Sequence, residues 1–113
     1  MKFILSKKDI ISLNEEFEDG AFHNEASLDF AISYAKSTTN WTKALAYITR
    51  AILIDHVFEE GNKRTALLLI KAYAEYEGYK TQNDLLLKMI KKILLKNITN
   101  IRKIEEMIKD VIV

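Results

Sequence analysis

The chain has 113 residues, of which 49% are hydrophobic and 29% charged, a composition typical of one globular domain and unlike that of a disordered segment. Its net charge of +1 gives no general field that would attract nucleic acid, and the absence of cysteine excludes disulfides and thiolate metal sites. The sequence turns polar at Ser6, too early for a signal peptide, and no apolar run reaches the length of a membrane span, so we expect a cytoplasmic protein without membrane contact.

The first third of the chain predicts two helices joined by a polar segment. Residues 2–5 are expected to form a short strand or an extended arm, and Ser6 with Asp9 three residues later is typical of a helix N-cap. The helix that follows carries Ile10, Leu13 and Phe17 at helical spacing. Residues 18–26 are polar, contain a glycine and are predicted to form a loop or small flap. A second, short helix, capped by Asn24 or Ser27, presents Leu28, Ala31, Ile32 and Ala35.

The rest of the chain predicts four more helices. Asn40 is placed to cap a third helix over residues 41–55, and a fourth runs over residues 62–77, with Gly78 as its left-handed C-terminal cap. Both are apolar around most of their circumference, which predicts that they are central. Residues 82–96 and 100–111 form amphipathic helices whose apolar strips belong either to the core or to a dimer face, so the oligomeric state stays open. The predicted fold class is therefore all-α: one domain over residues 1–113, a compact bundle of about six helices, with a polar loop between two buried central helices.

That polar loop and the helix start after it, residues 56–64, hold more ionisable residues than a turn requires. Gly61, Asn62, Lys63 and Arg64 open the fourth helix, where unpaired backbone N–H groups and the helix dipole favour an anion. Gly61 leaves room for a phosphate to approach the backbone, Asn62 can cap the helix or fix the loop, and Lys63 and Arg64 supply positive charge. The alternative interpretation is an ordinary cap followed by surface charges.

Three further residues of this loop are candidates for chemistry or support. Glu60 precedes the anion site and offers the single carboxylate with which proteins commonly hold Mg²⁺ beside phosphates, although it can equally stabilise the helix dipole. His56, at the end of the third helix, can take a proton from an attacking hydroxyl, or can simply cap that helix. Phe58 is interpreted as an anchor in the core and Glu59 as solvated surface. A base, a carboxylate and a phosphate site within so few residues favour phosphoryl or nucleotidyl transfer.

At these residues the sequence resembles the Fic/Doc family. The family signature, H-x-F-x-(D/E)-(G/A)-N-(G/K)-R, is matched here by H-V-F-E-E-G-N-K-R over residues 56–64. The resemblance implies a helical core with the signature between two central helices, His56 as general base, Glu60 as Mg²⁺ ligand, residues 61–64 as the phosphate site and ATP as co-substrate. Residues 18–26 fall where the family has its target-docking flap, which gives His23 a candidate role on the substrate side, against the alternative of a solvated loop histidine.

The departures from the family pattern favour the Doc, or death-on-curing, branch. Members that transfer AMP usually carry a second arginine three residues beyond the first, and this chain has Leu67 there. Lys63 stands where those members usually have glycine, and Val57 replaces the usual proline. The resemblance to Doc toxins implies phosphate transfer to a Ser or Thr hydroxyl of a target protein, with a translation elongation factor as the family precedent. Because residues 12–17 fail the family's inhibitory pattern (S/T)-x-x-x-E-(G/N) at its last position, restraint is expected from a separate antitoxin.

The sequence leaves three alternatives open. A Fic-type transfer of AMP or another nucleotide to a protein hydroxyl is the second hypothesis. A non-catalytic nucleotide-binding or interaction module is the third, and a helical scaffold without a ligand is the last. The target protein and its modified residue are not specified by the sequence.

Overall fold

The computed structural model describes residues 6–112, so the arm predicted for residues 2–5 lies outside the described residues. Within this range the chain forms six helices, whose bounds are α1 Lys7–Glu15, α2 Glu25–Ser37, α3 Trp41–Leu53, α4 Asn62–Tyr76, α5 Asn83–Leu95 and α6 Ile101–Val111. No β-strand occurs among residues 6–112, where the only extended pairings are two isolated bridges, Phe22 with Phe58 and Thr81 with Ile112. The predicted all-α single domain is confirmed, and its radius of gyration, 12.5 Å, is close to the ~13 Å expected for a folded domain of this length.

The helix ends follow local capping chemistry. Ser6 and Asp9 form the predicted capping box at the start of α1. Asn24, rather than Ser27, caps α2, because its side-chain oxygen accepts from the backbone N–H of Ser27 at 3.2 Å. Asn40 caps α3, and Gly78 follows α4 in the left-handed region, with a φ of 88°. These short-range signals explain why the predicted bounds are close to the observed ones.

Helix α3 is the centre of the bundle, and it packs against α2, α4, α5 and α6. Nine of its thirteen residues are buried, as its all-round apolar pattern predicts. Helix α4 is less central than the sequence suggests, since six of its fifteen residues are buried and Tyr76 is 65% exposed. Its buried side faces α1, α3 and α5 and leaves its first turn at the surface. This arrangement holds the start of α4 on a rigid base while keeping it accessible.

The apolar strips of α5 and α6 form part of the core rather than a free dimer face. Their buried members are Leu86, Met89, Ile90, Ile93, Ile104, Met107, Ile108 and Val111. Ion pairs join the starts of α1 and α2: the Lys7 ammonium lies 2.8 Å from the Asp29 carboxylate and 2.5 Å from that of Glu25. Hydrogen bonds to Asp29 and Glu25 raise the pKa of Lys7 above its usual value. Among residues 6–112, no helix combines the length and the apolar composition needed to cross a membrane.

Candidate functional site

The loop between α3 and α4 is fixed by the side chain of Asn62. Its Oδ1 accepts from the backbone N–H of Phe58 at 3.0 Å, and its Nδ2 donates to the carbonyl of Phe58 at 2.8 Å. Asn62 therefore closes the loop and does not cap α4, whose N-cap is Gly61, without any side-chain cap. Phe58 is fully buried, and its ring stacks on that of Phe22 with a centroid distance of 5.5 Å. The loop is thus anchored in the core, as the sequence predicts for Phe58.

A second support for the loop comes from residues 18–24, which we call the flap. The flap is shorter than predicted because α2 already begins at Glu25. The backbone N–H of His23 donates to Val57 at 2.8 Å, and that of Glu59 donates to Ala21 at 3.0 Å. These two bonds flank the bridge between Phe22 and Phe58. In an extended segment the backbone N–H and C=O groups of successive residues point to opposite edges, so those of Phe22 face away from the loop. Neither group of Phe22 bonds to any residue within 6–112.

A third support is Asn14, a buried residue of α1. Its Nδ2 donates to the carbonyl of Glu60 at 2.9 Å and to the hydroxyl of Thr65 at 3.1 Å. Its Oδ1 accepts from the backbone N–H of Gly20 at 3.0 Å. Because Asn14 is only 1% exposed, its own polar atoms are removed from water. Asn14 therefore ties α1, the flap, the loop and the first turn of α4 to one point.

The first turn of α4 presents free backbone donors. The N–H of Thr65 is the first to reach a helical acceptor, the carbonyl of Gly61 at 2.9 Å. Those of Asn62, Lys63 and Arg64 donate to no protein acceptor within residues 6–112. Together with the positive end of the helix dipole, they form the anion site that the sequence predicts at this position.

Gly61 has a different role from the one expected. Its φ of 78° lies in the left-handed region, which favours glycine. A Cβ there would lie 2.6 Å from Phe17 Cε2 and 2.9 Å from Glu18 Cγ. The space left by the missing side chain is therefore filled by the residues that follow α1, not kept open for a phosphate. Glycine allows these two residues to pack directly onto the start of α4.

A cleft of about 550 Å³ lies beside this helix start. Most of the residues proposed from the sequence line it, namely His56, Glu60, Gly61, Asn62, Lys63 and Arg64. Five other residues complete its wall: Phe17, Glu18, Leu53, Glu59 and Leu94. The volume lies within the range of about 300–1,000 Å³ that small-molecule sites occupy. The cleft thus joins one imidazole, three carboxylates, two cations and the free amides of α4.

The charged groups of the cleft do not neutralise one another. Neither Lys63 nor Arg64 forms an ion pair with a carboxylate among residues 6–112, although Glu18, Glu59 and Glu60 line the same cleft. The Arg64 guanidinium instead lies 5.0 Å from the ring centroid of Phe17, a cation–π contact. Both cations are exposed, so they remain available to an incoming anion.

His56 lines the cleft just beyond the end of α3. Its side chain is exposed and makes no hydrogen bond or ion pair within the described part of the chain. Its backbone has a φ of 53°, a left-handed conformation that costs a non-glycine residue about 1–2 kcal/mol. The hydrogen bonds on both sides of the loop maintain this conformation. The imidazole is therefore held out toward solvent beside the anion site.

Glu60 and its neighbours could hold Mg²⁺ only together with the phosphates of a bound nucleotide. Among residues 6–112 no group of three or more His, Asp or Glu side chains converges in a way that could hold a metal by itself. One exposed carboxylate next to an anion site is, however, the usual protein share of a magnesium–nucleotide site, in which phosphates and water supply the other ligands.

The expectations for Gly61 and Glu59 differ from the observed site, and several contributors were missed. Glu59 lines the cleft, whereas the sequence suggests only solvated surface. His23 is exposed on the flap and does not line the cleft. Sequence patterns did not identify Asn14, Phe17, Glu18 and Leu94 as site residues. For Asn14 a signal exists, because it is a polar residue four positions after the buried Ile10, on the apolar side of α1.

Comparisons of the chain with models of known protein families, with curated proteins and with solved structures gave no match.

Proposed function

We propose that this protein is a Doc-like phosphotransferase, which moves the terminal phosphate of ATP to a Ser or Thr hydroxyl of a target protein. The observation that carries the proposal is the position of His56 on the same cleft as the free amides of Asn62, Lys63 and Arg64. A base and an anion site in one cleft are the two groups that phosphoryl transfer to a hydroxyl requires. The match of residues 56–64 to the Fic/Doc signature supports the same proposal.

In this proposal the nucleotide phosphates lie against the start of α4, and the acceptor hydroxyl approaches from the side of His56. The imidazole takes the hydroxyl proton as the oxygen bonds to the γ-phosphorus, and the bond from that phosphorus to the bridging oxygen of ADP breaks. Lys63, Arg64 and the α4 amides stabilise the negative charge on the phosphoryl oxygens. A magnesium ion held through Glu60 would neutralise further phosphate charge.

The flap offers a docking edge for the target. The unbonded N–H and C=O of Phe22 point away from the loop, so an extended segment of the target protein can pair with them in the manner of an added strand. His23 follows Phe22 on this edge, which gives it a substrate-side role. We propose a translation elongation factor as the target, on the basis of the family resemblance alone, and a separate antitoxin as the source of restraint.

The absence of a second guanidinium separates phosphate transfer from AMP transfer. Leu67, where AMP-transferring relatives usually have arginine, is partly buried and packs against the core. The described cleft therefore has one guanidinium, that of Arg64, and no second one to hold a further phosphate. This favours transfer of the terminal phosphate over transfer of AMP.

The test uses ATP labelled at the γ- or the α-phosphate, incubated with the protein and a translation extract, followed by mass spectrometry of labelled bands. We expect γ-label on a protein hydroxyl, lost with His56→Ala. Gln82→Ala is the control, because Gln82 is exposed, its side chain makes no capping hydrogen bond and it lies outside the cleft. Retained α-label would establish nucleotidyl transfer instead. Nucleotide binding by calorimetry without any labelled protein would support a non-catalytic module, and equal labelling by His56→Ala would refute the role of the imidazole.

A further inference from the structure

The outward face of α5 carries a concentration of positive charge that the proposed reaction does not use. Lys88, Lys91, Lys92 and the adjoining Lys96 are all exposed, and Asp84 is the only acid on the helix. None of these lysines forms an ion pair in the part of the chain that the structure describes. Since the whole chain has a net charge of only +1, this face is a local feature and not a reflection of the overall composition.

Three leucines are interleaved with these lysines. Leu85 is 38% exposed, Leu87 41% and Leu95 85%, although the same helix already buries Leu86, Met89, Ile90 and Ile93 in the core. An exposed leucine alone needs no explanation, but three on one lysine-rich helix face form a mixed apolar and cationic surface. We call this surface, formed by residues 85, 87, 88, 91, 92, 95 and 96, the α5 face.

The arrangement of the leucines argues against a lipid surface. A membrane-binding helix requires one continuous apolar strip. Leu85 and Leu87 are two positions apart and so lie roughly 160° apart around the helix axis, with Lys88 exposed between them. Leu95 lies about midway between these two around the helix axis, with Lys91 on one side of it and Lys88 on the other, so lysines divide the apolar area and no continuous strip forms. Nucleic acid is also disfavoured, since its phosphates would use the lysines but leave the leucines without contacts.

We propose that the α5 face binds an acidic amphipathic segment of a partner protein, in which carboxylates alternate with apolar side chains. Such a segment pairs its carboxylates with the lysines and covers the leucines, so it complements both features of the surface. Leu94 of the same helix lines the cleft, so the bound segment lies next to the candidate active site. The inference goes beyond the proposed function and does not rest on it, because it concerns a surface that binds without nucleotide.

The test measures fluorescence anisotropy of a labelled synthetic peptide of Glu and Leu residues arranged at helical spacing, with the full chain and no nucleotide. We expect saturable binding that weakens as salt increases. Lys88→Glu/Lys91→Glu should weaken it about tenfold, because two attractive contacts become repulsive. Lys8→Glu/Lys36→Glu is the matched control: it makes the same change of charge at exposed lysines of α1 and α2, and should change the affinity less than about twofold.

Further variants and ligands in the same assay test the contribution of the leucines and the alternatives of nucleic acid and membrane binding. Leu87→Ser/Leu95→Ser should also weaken peptide binding several-fold, but without changing its salt dependence, since no charge is altered. Circular dichroism checks that each variant is folded. No saturable binding, or an equal loss in both lysine double variants, would overturn the proposal. Tighter binding of duplex DNA or of phosphatidylserine vesicles than of the peptide, abolished by Lys88→Glu/Lys91→Glu, would overturn it in favour of that ligand.

Discussion

Replacement of Asn14 by leucine tests how the candidate site is held together. Leucine has the same branched shape as asparagine, with methyl groups in place of the amide oxygen and nitrogen, so Asn14→Leu removes the hydrogen bonds of the side chain and adds some bulk. The carbonyl of Glu60 and the N–H of Gly20 then lose their side-chain partners, whereas the hydroxyl of Thr65 keeps its bond to the carbonyl of Gly61 at 2.8 Å. Two backbone groups are therefore left unsatisfied.

The expected loss in free energy of unfolding follows from those two unsatisfied groups. Each unsatisfied buried donor or acceptor costs about 1–3 kcal/mol, and both are partly reachable by water, so the expected total is about 2–4 kcal/mol. For a domain of this size that corresponds to a fall in Tm of roughly 8–20 °C. Because the same bonds fix the first turn of α4, we also expect weaker nucleotide binding at temperatures where the variant is fully folded.

The assay is thermal and urea unfolding followed by circular dichroism, with calorimetric titration of ATP and magnesium. Asn83→Leu is the matched control, since Asn83 is exposed and its side chain makes only a 3.5 Å contact with Lys71, so a change within ~0.5 kcal/mol is expected. A loss below 0.5 kcal/mol for Asn14→Leu, with ATP affinity equal to that of the wild type, would refute the view that this amide organises the site.

Three other substitutions test single features of the structure by the same unfolding measurements. Gly61→Ala should lower the free energy of unfolding by about 2–4 kcal/mol, since a methyl group there meets Phe17 at 2.6 Å. Gly78→Ala is the control, because Gly78 has a similar φ but nothing within 4 Å of the added methyl group, and it should cost only about 1 kcal/mol. Equal costs would contradict the packing role of Gly61. His56→Gly should stabilise the fold by about 1 kcal/mol while abolishing transfer, and an unchanged Tm would show that the left-handed backbone is not strained. Thr49→Val should be neutral or stabilising by up to ~1 kcal/mol, because the buried Thr49 hydroxyl finds no partner among residues 6–112, and a loss of stability would indicate a hydrogen bond that the structure does not contain.

The helices could be predicted because their signals are local. The residues at the helix ends act on neighbours within a few positions; they are Ser6, Asn24, Asn40 and Gly78. The apolar spacing of each helix indicates which side is buried. The prediction was less accurate where tertiary contacts override the pattern. Phe17 continues the spacing of Ile10 and Leu13, yet α1 ends at Glu15, and Phe17 and Glu18 instead pack against Gly61 at the start of α4.

The candidate site also has one part that local sequence signals predict and one part that they do not. Residues 56–64 are consecutive, so their types and spacing identify most of the cleft lining from the sequence alone. The segment after α1 contributes Phe17 and Glu18, and the link from α1 to the loop joins Asn14 to Glu60 and Thr65, separated by 46 and 51 positions. No local rule specifies contacts at that distance. The sequence therefore predicts which groups are available, whereas the position of α1 decides how they are arranged.

That arrangement accounts for the coexistence of opposite charges in one small cleft. On a flexible surface, Arg64 would be free to pair with Glu18, Glu59 or Glu60, because a guanidinium and a carboxylate attract each other at short range. Here the ring of Phe17 receives the guanidinium at 5.0 Å, and Asn14 and Asn62 fix the backbone on either side. The guanidinium is thereby kept apart from the carboxylates before any ligand arrives. A polyanion that enters the cleft therefore need not break an existing ion pair, and this preorganisation is what distinguishes the start of α4 from an ordinary charged helix end.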